Sequence, residues 1–374
     1  MEKIKLGNCA TYINGYAFKP TDWKKSGIPI IRIQDLTKSN SNPNYYDGKL
    51  DEKYIVKNGD VLISWSGSLG VYEWNGDIAY LNQHIFKVIF DKKEINKNYF
   101  IYLVESKIHE MLKNVHGSTM KHITKSNFDN IDINLHTINE QEEIANKITA
   151  VKDVINIRKE QLENLEQLVK SQFVEMFGDI ENTKYDVYKL SELTNLITDG
   201  EHKKPNYTEK GTPFISVVNI TTGELKFEDC KFVSDEDACK FNKRCNPEKD
   251  DILYTKVGAT YGRSAIVDTD KKFALYVSVC LIKPKKDLIN PIFLNYTMRQ
   301  PYVKSQADKC IKGIGVPDLH LIEIKNFKII LPPIEEQNQF AEFVKLIDKQ
   351  KFVIVEIIMI YDIILRNILN NIMG

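Results

Sequence analysis

Two long stretches of the chain have the hydrophobic spacing of an amphipathic helix. Within Asn139–Phe177, apolar residues recur at intervals of three, four or seven positions, which is the spacing of one helix face. Gly178 follows where a helix is expected to end. A second such stretch begins after the Pro-Pro pair at 332–333 and continues to about Asn371. At about 1.5 Å per residue, each predicted helix is roughly 50 Å long.

Shorter apolar runs, separated by clusters of Gly, Asn and Pro, precede each long helix and predict an irregular mixed α/β domain. The predicted strands are Pro29–Ile33, Val61–Ser64 and Ile131–Leu135 in the first part, and Pro213–Val218, Ile252–Thr255 and Phe327–Leu331 in the second. A helix is predicted at Lys97–Asn114, and its counterpart at Pro291–Ala307.

The chain contains two diverged copies of one unit. GIPIIRIQDLT at 27–37 matches GTPFISVVNIT at 211–221, and INEQEEIANKI at 138–148 matches IEEQNQFAEFV at 334–344. INKNYFIYLVES, which begins at residue 95, matches INPIFLNYTMRQ, which begins at residue 289. A period of roughly half the chain is too long for a solenoid repeat of about 20–50 residues. Two similar domains, each followed by its own helix, are therefore predicted.

The predicted fold class is α+β: two mixed α/β domains separated by two long helices that pair as an antiparallel coiled coil, with a pseudo-twofold internal repeat. The domain boundaries follow the pattern: 1–138, helix 139–181, 182–331 and helix 332–374. The second helix is apolar over more of its surface than one partner helix would cover. We expect this excess to bind another subunit, through Ile357, Met359, Ile360, Ile364 and Ile368, unless it packs onto the chain's own domains.

Charge is unevenly distributed although the formal net charge is zero. Residues 1–138 carry +3 and residues 182–330 carry +4, whereas the helical stretches together carry −7. This asymmetry is compatible with DNA on the domains and a protein on the helices, but does not establish either. The N-terminus lacks the apolar stretch of a secretory signal, so a cytoplasmic location is expected. Six cysteines without close pairs suggest reduced thiols.

The sequence offers only weak matches to catalytic or metal sites. Asp318, Glu323 and Lys325 resemble a nuclease carboxylate–carboxylate–lysine set, but they lie too close in sequence to occupy neighbouring strands. Asn42–Tyr45 resembles an adenine-amino methyltransferase loop without its second proline, and no Gly-rich cofactor loop precedes it. Cys230, Cys239 and Cys245 contain no CxxC pair, so a zinc site is not predicted. Because each of these matches is incomplete, no catalytic residue is predicted either.

Polar, glycine-containing loops recur at equivalent positions of the two copies and differ between them. In the first copy they are 14–20, 64–70 and 116–122, and in the second 199–205, 256–263 and 309–315. Glycine allows the backbone to approach a phosphate, and Lys, Ser and Thr can bind it, while Arg, Asn, Gln and His reach base edges. Any one of these residues could equally be a solvated loop residue. The predicted base contacts are Gln34, His202, Asn219 and Arg263. The predicted phosphate contacts are Lys19, Lys121, Lys203, Lys204 and Lys312, and further DNA contacts are Tyr16, Ser66, Ser68, Lys256, Thr260 and Tyr261.

These segments, together with GDVLIS at 59–64 and DDILYT at 250–255, resemble the specificity subunit of type I restriction-modification enzymes over the whole chain. The resemblance implies a non-catalytic subunit with two target recognition domains, each recognising one half of a split, asymmetric DNA site. It implies that the helices set the spacing and bind two methyltransferase subunits, and that a motor-nuclease subunit can then join. The chain itself is expected to need no cofactor, because S-adenosylmethionine would bind the methyltransferase.

Helices of this length predict half-sites about one DNA turn apart, since a turn is about 34–36 Å. Two alternatives from other classes remain open at this stage. One is a nuclease that uses Asp318, Glu323 and Lys325, and the other is a coiled-coil scaffold that does not touch DNA.

Overall fold

The computed structural model describes residues 1–37, 43–113, 123–178, 180, 183–311 and 316–373. It divides into two compact units. The first contains residues 1–160 and 355–374, and the second contains residues 161–354. Each unit therefore consists of one α/β domain together with parts of both long helices.

The first domain contains ten strands and three helices among its described residues. The strands are β1 (Glu2–Lys5), β2 (Thr11–Asn14), β3 (Ile28–Ile31), β4 (Asn44–Tyr46), β5 (Ile55–Val56), β6 (Val61–Ser64), β7 (Gly70–Glu73), β8 (Ala79–Leu81), β9 (Ile85–Ile89) and β10 (Asp132–Leu135). The helices are α1 (Ile33–Leu36), α2 (Lys97–Lys113) and α3 (Lys125–Asp129). The strands form a β1-β10 pair, a sheet of order β2-β9-β6-β7 and a sheet of order β4-β3-β8-β5.

The second domain repeats this topology, except that its second sheet has no counterpart of β5 among the described residues. Its strands are β11 (Asp186–Lys189), β12 (Thr194–Asp199), β13 (Thr212–Ile215), β14 (Lys231–Val233), β15 (Ile252–Thr255), β16 (Ser264–Ile266), β17 (Ala274–Leu275), β18 (Val279–Pro284) and β19 (Lys328–Leu331). They form a β11-β19 pair, a β12-β18-β15-β16 sheet and a β14-β13-β17 sheet. Its helices are α5 (Asp235–Asn242), α6 (Pro291–Thr297), α7 (Pro301–Cys310) and α8 (Leu321–Lys325). The predicted internal repeat is therefore a repeat of fold as well as of sequence.

The two long helices are continuous: α4 is Ile138–Phe177 and α9 is Ile334–Met373, each of 40 residues. After α4 the chain passes through Gly178 with a φ of +68°, a left-handed conformation that glycine adopts without a steric penalty. Two prolines precede α9 and cannot donate backbone hydrogen bonds, so they suit its start.

Within each unit, the beginning of one long helix packs with the end of the other. In the first unit, Ala145 and Ile148 of α4 share a hydrophobic core with Ile372 of α9. In the second, the ring of Phe173 from α4 lies 5.4 Å from that of Phe340 from α9. The helices are therefore antiparallel, and the predicted fold class is confirmed.

A buried glutamine joins each long helix to its domain. Gln141 accepts the Asn96 N–H at 2.9 Å and donates to the His136 carbonyl at 2.8 Å. Gln337 accepts the Asn290 N–H at 2.8 Å and donates to the Pro332 carbonyl at 2.7 Å. Each glutamine satisfies backbone groups at the start of a domain helix and at the entry to the long helix, and so fixes their mutual position.

The prediction of one helix at Pro291–Ala307 was wrong. The helix is interrupted between Thr297 and Pro301, where a second helix, α7, begins with proline at its first position. Proline lacks an N–H and its ring would collide with the carbonyl four residues earlier, so a continuous helix is excluded there. No helix within the described part of the chain is long and apolar enough to cross a membrane.

Candidate nucleic-acid interface

In the first domain, the first and second loops leave the same end of the β2-β9-β6-β7 sheet, while the third loop, 116–122, lies outside the described residues. The N–H groups of Gly15 and Trp65 donate to the carbonyls of Ile85 and His84, both at 3.1 Å. Ile123, the residue that follows the third predicted loop, donates to the Trp65 carbonyl at 3.0 Å. These backbone bonds hold the first two loops and Ile123 at one sheet edge.

The second domain makes the same three contacts. Gly200 donates to the Val279 carbonyl at 3.3 Å, and Lys256 donates to the Ser278 carbonyl at 3.0 Å. Leu319 donates to the Lys256 carbonyl at 2.9 Å. Each contact has a counterpart at the equivalent strand end of the first domain, so the loop positions of the two domains can be compared one by one.

The second residue in the first loop of each domain is a glycine that no other residue could replace without a shift of the backbone. A Cβ atom at Gly15 would lie 2.0 Å from the Asn82 carbonyl oxygen, and one at Gly200 would lie 2.0 Å from the Leu275 carbonyl oxygen. This close approach seats the loop against the neighbouring sheet.

A buried hydroxyl shapes the second loop of each domain. Ser64 donates to the carbonyl of Ser68. Thr255 donates to the Thr260 carbonyl at 2.7 Å and accepts the Arg263 N–H at 2.8 Å. Ser68, Thr260 and Arg263 themselves are exposed, so their side chains are presented on loops whose backbone is held from below.

In the first domain the described candidates for DNA contact lie on the first two loops, except Gln34, which lies on α1. Lys19 and Ser68 are exposed, and Gln34 and Ser66 are half-buried. The Tyr16 ring is half-buried and packs 5.0 Å from the ring of Phe18 and 5.5 Å from that of Tyr54. Lys121 lies outside the described residues.

In the second domain the exposed candidates are His202, Lys203, Lys204, Thr260 and Arg263. Tyr261 is half-buried, and its hydroxyl donates to the Asp308 carboxylate at 2.5 Å, so it links the second loop to α7. Lys312 lies outside the described residues. Whether any of these residues contacts DNA stays a prediction.

The structure gives Asn219 a different environment from the one that base contact requires. Its side chain is buried, and its Oδ1 accepts the N–H of Ser216 at 3.1 Å, so it caps the short helical turn Val217–Asn219. The neighbouring Val218 is 70% exposed and occupies the position equivalent to Gln34. Asn219 instead aligns with Asp35, whose carboxylate accepts the Arg32 N–H at 2.8 Å, so both residues cap a local turn.

Lys256, which was predicted to contact DNA, is buried and so is not available to bind a phosphate. The residue is 7% exposed, and its Nζ lies 3.4 Å from Asp199 Oδ2 and 3.6 Å from Asp318 Oδ1. Its charge is matched by these two carboxylates inside the domain.

Sequence analysis missed Arg244. Its Nη2 donates to the carbonyls of Asp199 and Gly200 at 2.8 and 2.6 Å, while its side chain stays 55% exposed. It follows helix α5, whose counterpart in the first domain is only the three-residue turn Glu52–Tyr54, so the comparison of the copies gave no signal for it.

The near-matches to catalytic and metal sites are not assembled. The Asp318 carboxylate pairs with Lys256, and Glu323 and Lys325 lie on α8. Within the described ranges, no group of three or more His, Cys, Asp or Glu residues could hold a metal ion. Cys230, Cys239 and Cys245 are free thiols.

The C-terminal part of α9 exposes apolar side chains on the first unit. Met359, Ile360 and Ile363 are 60%, 56% and 58% exposed, and Ile364 is also exposed. Ile357 is half-buried. The predicted surface included Ile368, but that residue packs against the core of the first domain. We call Met359, Ile360, Ile363 and Ile364 the α9 apolar surface.

A family model described as the type I restriction modification DNA specificity domain matches residues 1–167 and again residues 182–357. The chain belongs to this family. Both copies of the internal repeat are thus copies of the DNA specificity domain, and the predicted class, a specificity subunit rather than an enzyme, agrees with this membership.

Relatives of this specificity subunit support the same assignment. The EcoBI specificity subunit of Escherichia coli is 26% identical over 373 residues, which cover 92% of this chain and 78% of the relative. The MjaVIII specificity subunit of Methanocaldococcus jannaschii is 24% identical over 93% of this chain and 86% of its own.

Two solved structures share the fold. The S subunit of a type I restriction-modification system from M. genitalium has a TM-score of 0.59 at 15% identity and covers all of this chain and 96% of its own. A chain from a structure of type I restriction-modification complex assembly and conformational transition has a TM-score of 0.60 at 16% identity, with 100% and 97% coverage.

Proposed function

We propose that this specificity subunit recognises a bipartite, asymmetric DNA site, with one half bound at the loop edge of each domain. The duplicated loop edge carries this proposal. The two domains present loops at the same end of equivalent sheets, yet the residues on those loops differ, as with Gly70 in the first domain and the exposed Arg263 at the corresponding position of the second. Identical supports with different loops are what recognition of two different half-sites requires.

Charge distribution supports DNA on the domains and protein on the helices. The domain stretches carry net charges of +3 and +4, whereas the helical stretches carry −7. Basic side chains on the loops would contact phosphates, and base edges would be contacted by the polar groups between them. The helices would set the spacing of the half-sites at about one DNA turn.

The α9 apolar surface is proposed to bind a methyltransferase subunit, with two such subunits in the complete methyltransferase. A motor-nuclease subunit would join that complex. S-adenosylmethionine would bind the methyltransferase subunit, so this chain would need no cofactor of its own. The proposed compartment is the cytoplasm, where the DNA and the methyl donor are found.

Methylome sequencing tests the central proposal. A host that expresses this chain with its methyltransferase should acquire one methylated motif with two specified halves and unspecified bases between them. A contiguous motif would contradict recognition by two separate domains. Salt-dependent, sequence-selective binding by the purified complex would exclude a scaffold that does not touch DNA.

Exchange of the second domain tests which half it recognises. Replacement of residues 182–330 by those of another specificity subunit should change one half of the motif and leave the other unchanged. Changes in both halves would show that the domains do not act separately.

The nuclease alternative has its own test. Metal-dependent cleavage of DNA by the purified chain, lost in Asp318→Ala, would favour that alternative over a specificity subunit.

The proposed docking surface is tested by Ile363→Glu, which places a charge among exposed apolar side chains and should abolish co-purification with the methyltransferase. Asn367→Glu is the matched control, because Asn367 is exposed on the same helix and receives the same charge. The proposed surface would be refuted if both variants lost co-purification equally, or if neither variant lost it.

A further inference from the structure

A cluster of charged side chains joins the first and second loops of the second domain to the segment at Asp318. Asp199 ends strand β12 and its side chain is 5% exposed. Its Oδ2 lies 3.4 Å from Nζ of Lys256, which begins the second loop, and the same Nζ lies 3.6 Å from Oδ1 of Asp318, which lies between the third predicted loop and helix α8. One buried ammonium thus bridges a carboxylate of the first loop and the carboxylate of Asp318.

The other carboxylate oxygen of Asp199, Oδ1, contacts the side chains of Arg244 and His202. Arg244 Nη2 lies 3.1 Å from Oδ1, and Nε2 of His202 lies 3.0 Å from the same atom. Both side chains are more than half exposed. Arg244 is additionally held by the carbonyls of Asp199 and Gly200, so its guanidinium is fixed at the surface of the loop edge.

The first domain has a neutral pair at the same place. Asn14 ends β2 as Asp199 ends β12, and Trp65 follows β6 as Lys256 follows β15. Trp65 Nε1 donates to Asn14 Oδ1 at 3.2 Å. The connection between the first and second loops is therefore made in both domains, by a hydrogen bond between neutral groups in one and by an ion pair in the other.

Burial separates these groups into two kinds. Substitution of one member of a buried ion pair is destabilising, because the charge of the other member then stays buried without an opposite charge beside it. Lys256 and Asp199 are of this kind. Arg244 has its charge at the surface and several donors on a planar group, which suits a phosphate or a guanine edge.

We propose that Asp199 and Lys256 are positioning residues that hold the first and second loops of the second domain together and against the segment at Asp318, and that Arg244, fixed against Asp199, contacts DNA. This inference rests on the proposed function, since it assumes that the loop edge binds DNA. Asn14 and Trp65 are the positioning residues of the first domain.

The salt dependence of binding distinguishes a phosphate contact from a positioning residue. Each phosphate contact contributes about 0.9 to the slope of log K against log salt concentration. Arg244→Gln should lower the slope by about 0.9 and weaken binding to the methylated motif on the order of tenfold. Lys256→Met should weaken binding by a similar factor with an unchanged slope, because its ammonium is not on a phosphate.

Lys286→Gln is the matched control, since Lys286 is also 55% exposed but follows β18 at the opposite end from the loops. Its affinity and slope should equal those of the wild type. All variants are measured in the full complex with the methyltransferase, with far-UV circular dichroism to verify folding.

A rescue experiment tests positioning directly. Asp199→Asn leaves the buried Lys256 ammonium with Asp318 as its remaining carboxylate and should relax recognition of one half of the motif. The double variant Asp199→Asn/Lys256→Gln recreates a neutral pair like that of the first domain and should restore recognition of that half.

Each alternative outcome is distinguishable. If wild-type protein shows no sequence-selective binding, the proposed function fails and this inference fails with it. If the wild type binds selectively but Lys256→Met lowers the slope by about 0.9, Lys256 contacts phosphate and the positioning role is wrong. Wild-type affinity and slope in Arg244→Gln, or no rescue in the double variant, would likewise overturn the assignments.

Discussion

Gln337 offers a test of how each long helix is joined to its domain. The side chain is fully buried, and Gln337→Leu would remove the acceptor of the Asn290 N–H and the donor to the Pro332 carbonyl. A buried polar group left without a partner costs about 1–3 kcal/mol. The variant leaves two such groups, so their combined cost is about 2–6 kcal/mol. The apolar surface of leucine offsets part of this cost, so we expect a loss of about 2–3 kcal/mol in the free energy of unfolding.

Urea unfolding of the full chain measures this loss, and the tryptophans add a local probe. All three, Trp23, Trp65 and Trp74, lie in the first unit, so their fluorescence reports on that unit while far-UV circular dichroism reports on both. Gln337→Leu should shift the circular dichroism transition, and Gln141→Leu should shift the fluorescence transition.

Gln350→Leu is the control, because Gln350 is exposed on the same helix and the substitution is again glutamine to leucine. Its effect should stay within about 0.5 kcal/mol. A loss below about 0.5 kcal/mol in Gln337→Leu would refute the argument that these hydrogen bonds fix the joint.

Three further outcomes are expected. Phe340→Ala, which removes a fully buried ring at the junction of the long helices, should lower the free energy of unfolding by about 3–5 kcal/mol in urea titrations. Thiol labelling at pH 8 should modify the exposed Cys239 first, because burial raises the pKa of Cys9 to about 11 and that of Cys245 to about 12; their thiolate fractions, and so their labelling, should rise only as pH approaches those values. Rapid labelling of either buried thiol at pH 8 would contradict this. Thr255→Val keeps the volume but loses the hydroxyl that holds the second loop, and should reduce stability by about 1–2 kcal/mol and relax one half of the methylated motif, whereas an unchanged motif would show that the loop is held without it.

The sequence predicted the repeated scaffold well because its signals are local or periodic. The long helices follow from a spacing that persists over many turns, and the predicted start near Asn139 lies one residue from the observed Ile138. The break in the predicted helix Pro291–Ala307 was missed although Pro301 marks it, because the apolar pattern continues across the proline.

The candidate site was harder to predict because burial, rather than residue type, decides what a polar side chain does there. Lys256 is a loop lysine in sequence but lies within ion-pairing distance of two carboxylates from distant segments. Asn219 is used by a local turn. Arg244 has a role only because folding brings it against Asp199, 45 positions away in the chain, and no sequence spacing indicates that contact.

The hydroxyls of Ser64 and Thr255 have a consequence for how new target preferences could arise. The segment between β6 and β7 spans residues 65–69, and that between β15 and β16 spans 256–263. In each domain the hydroxyl at the end of the preceding strand, Ser64 or Thr255, nevertheless binds the backbone of the segment that follows it. Insertions and deletions are thus accommodated beyond a fixed attachment point. A lineage could alter the DNA sequence it protects by changing the length of this segment, without rebuilding the sheet that carries it.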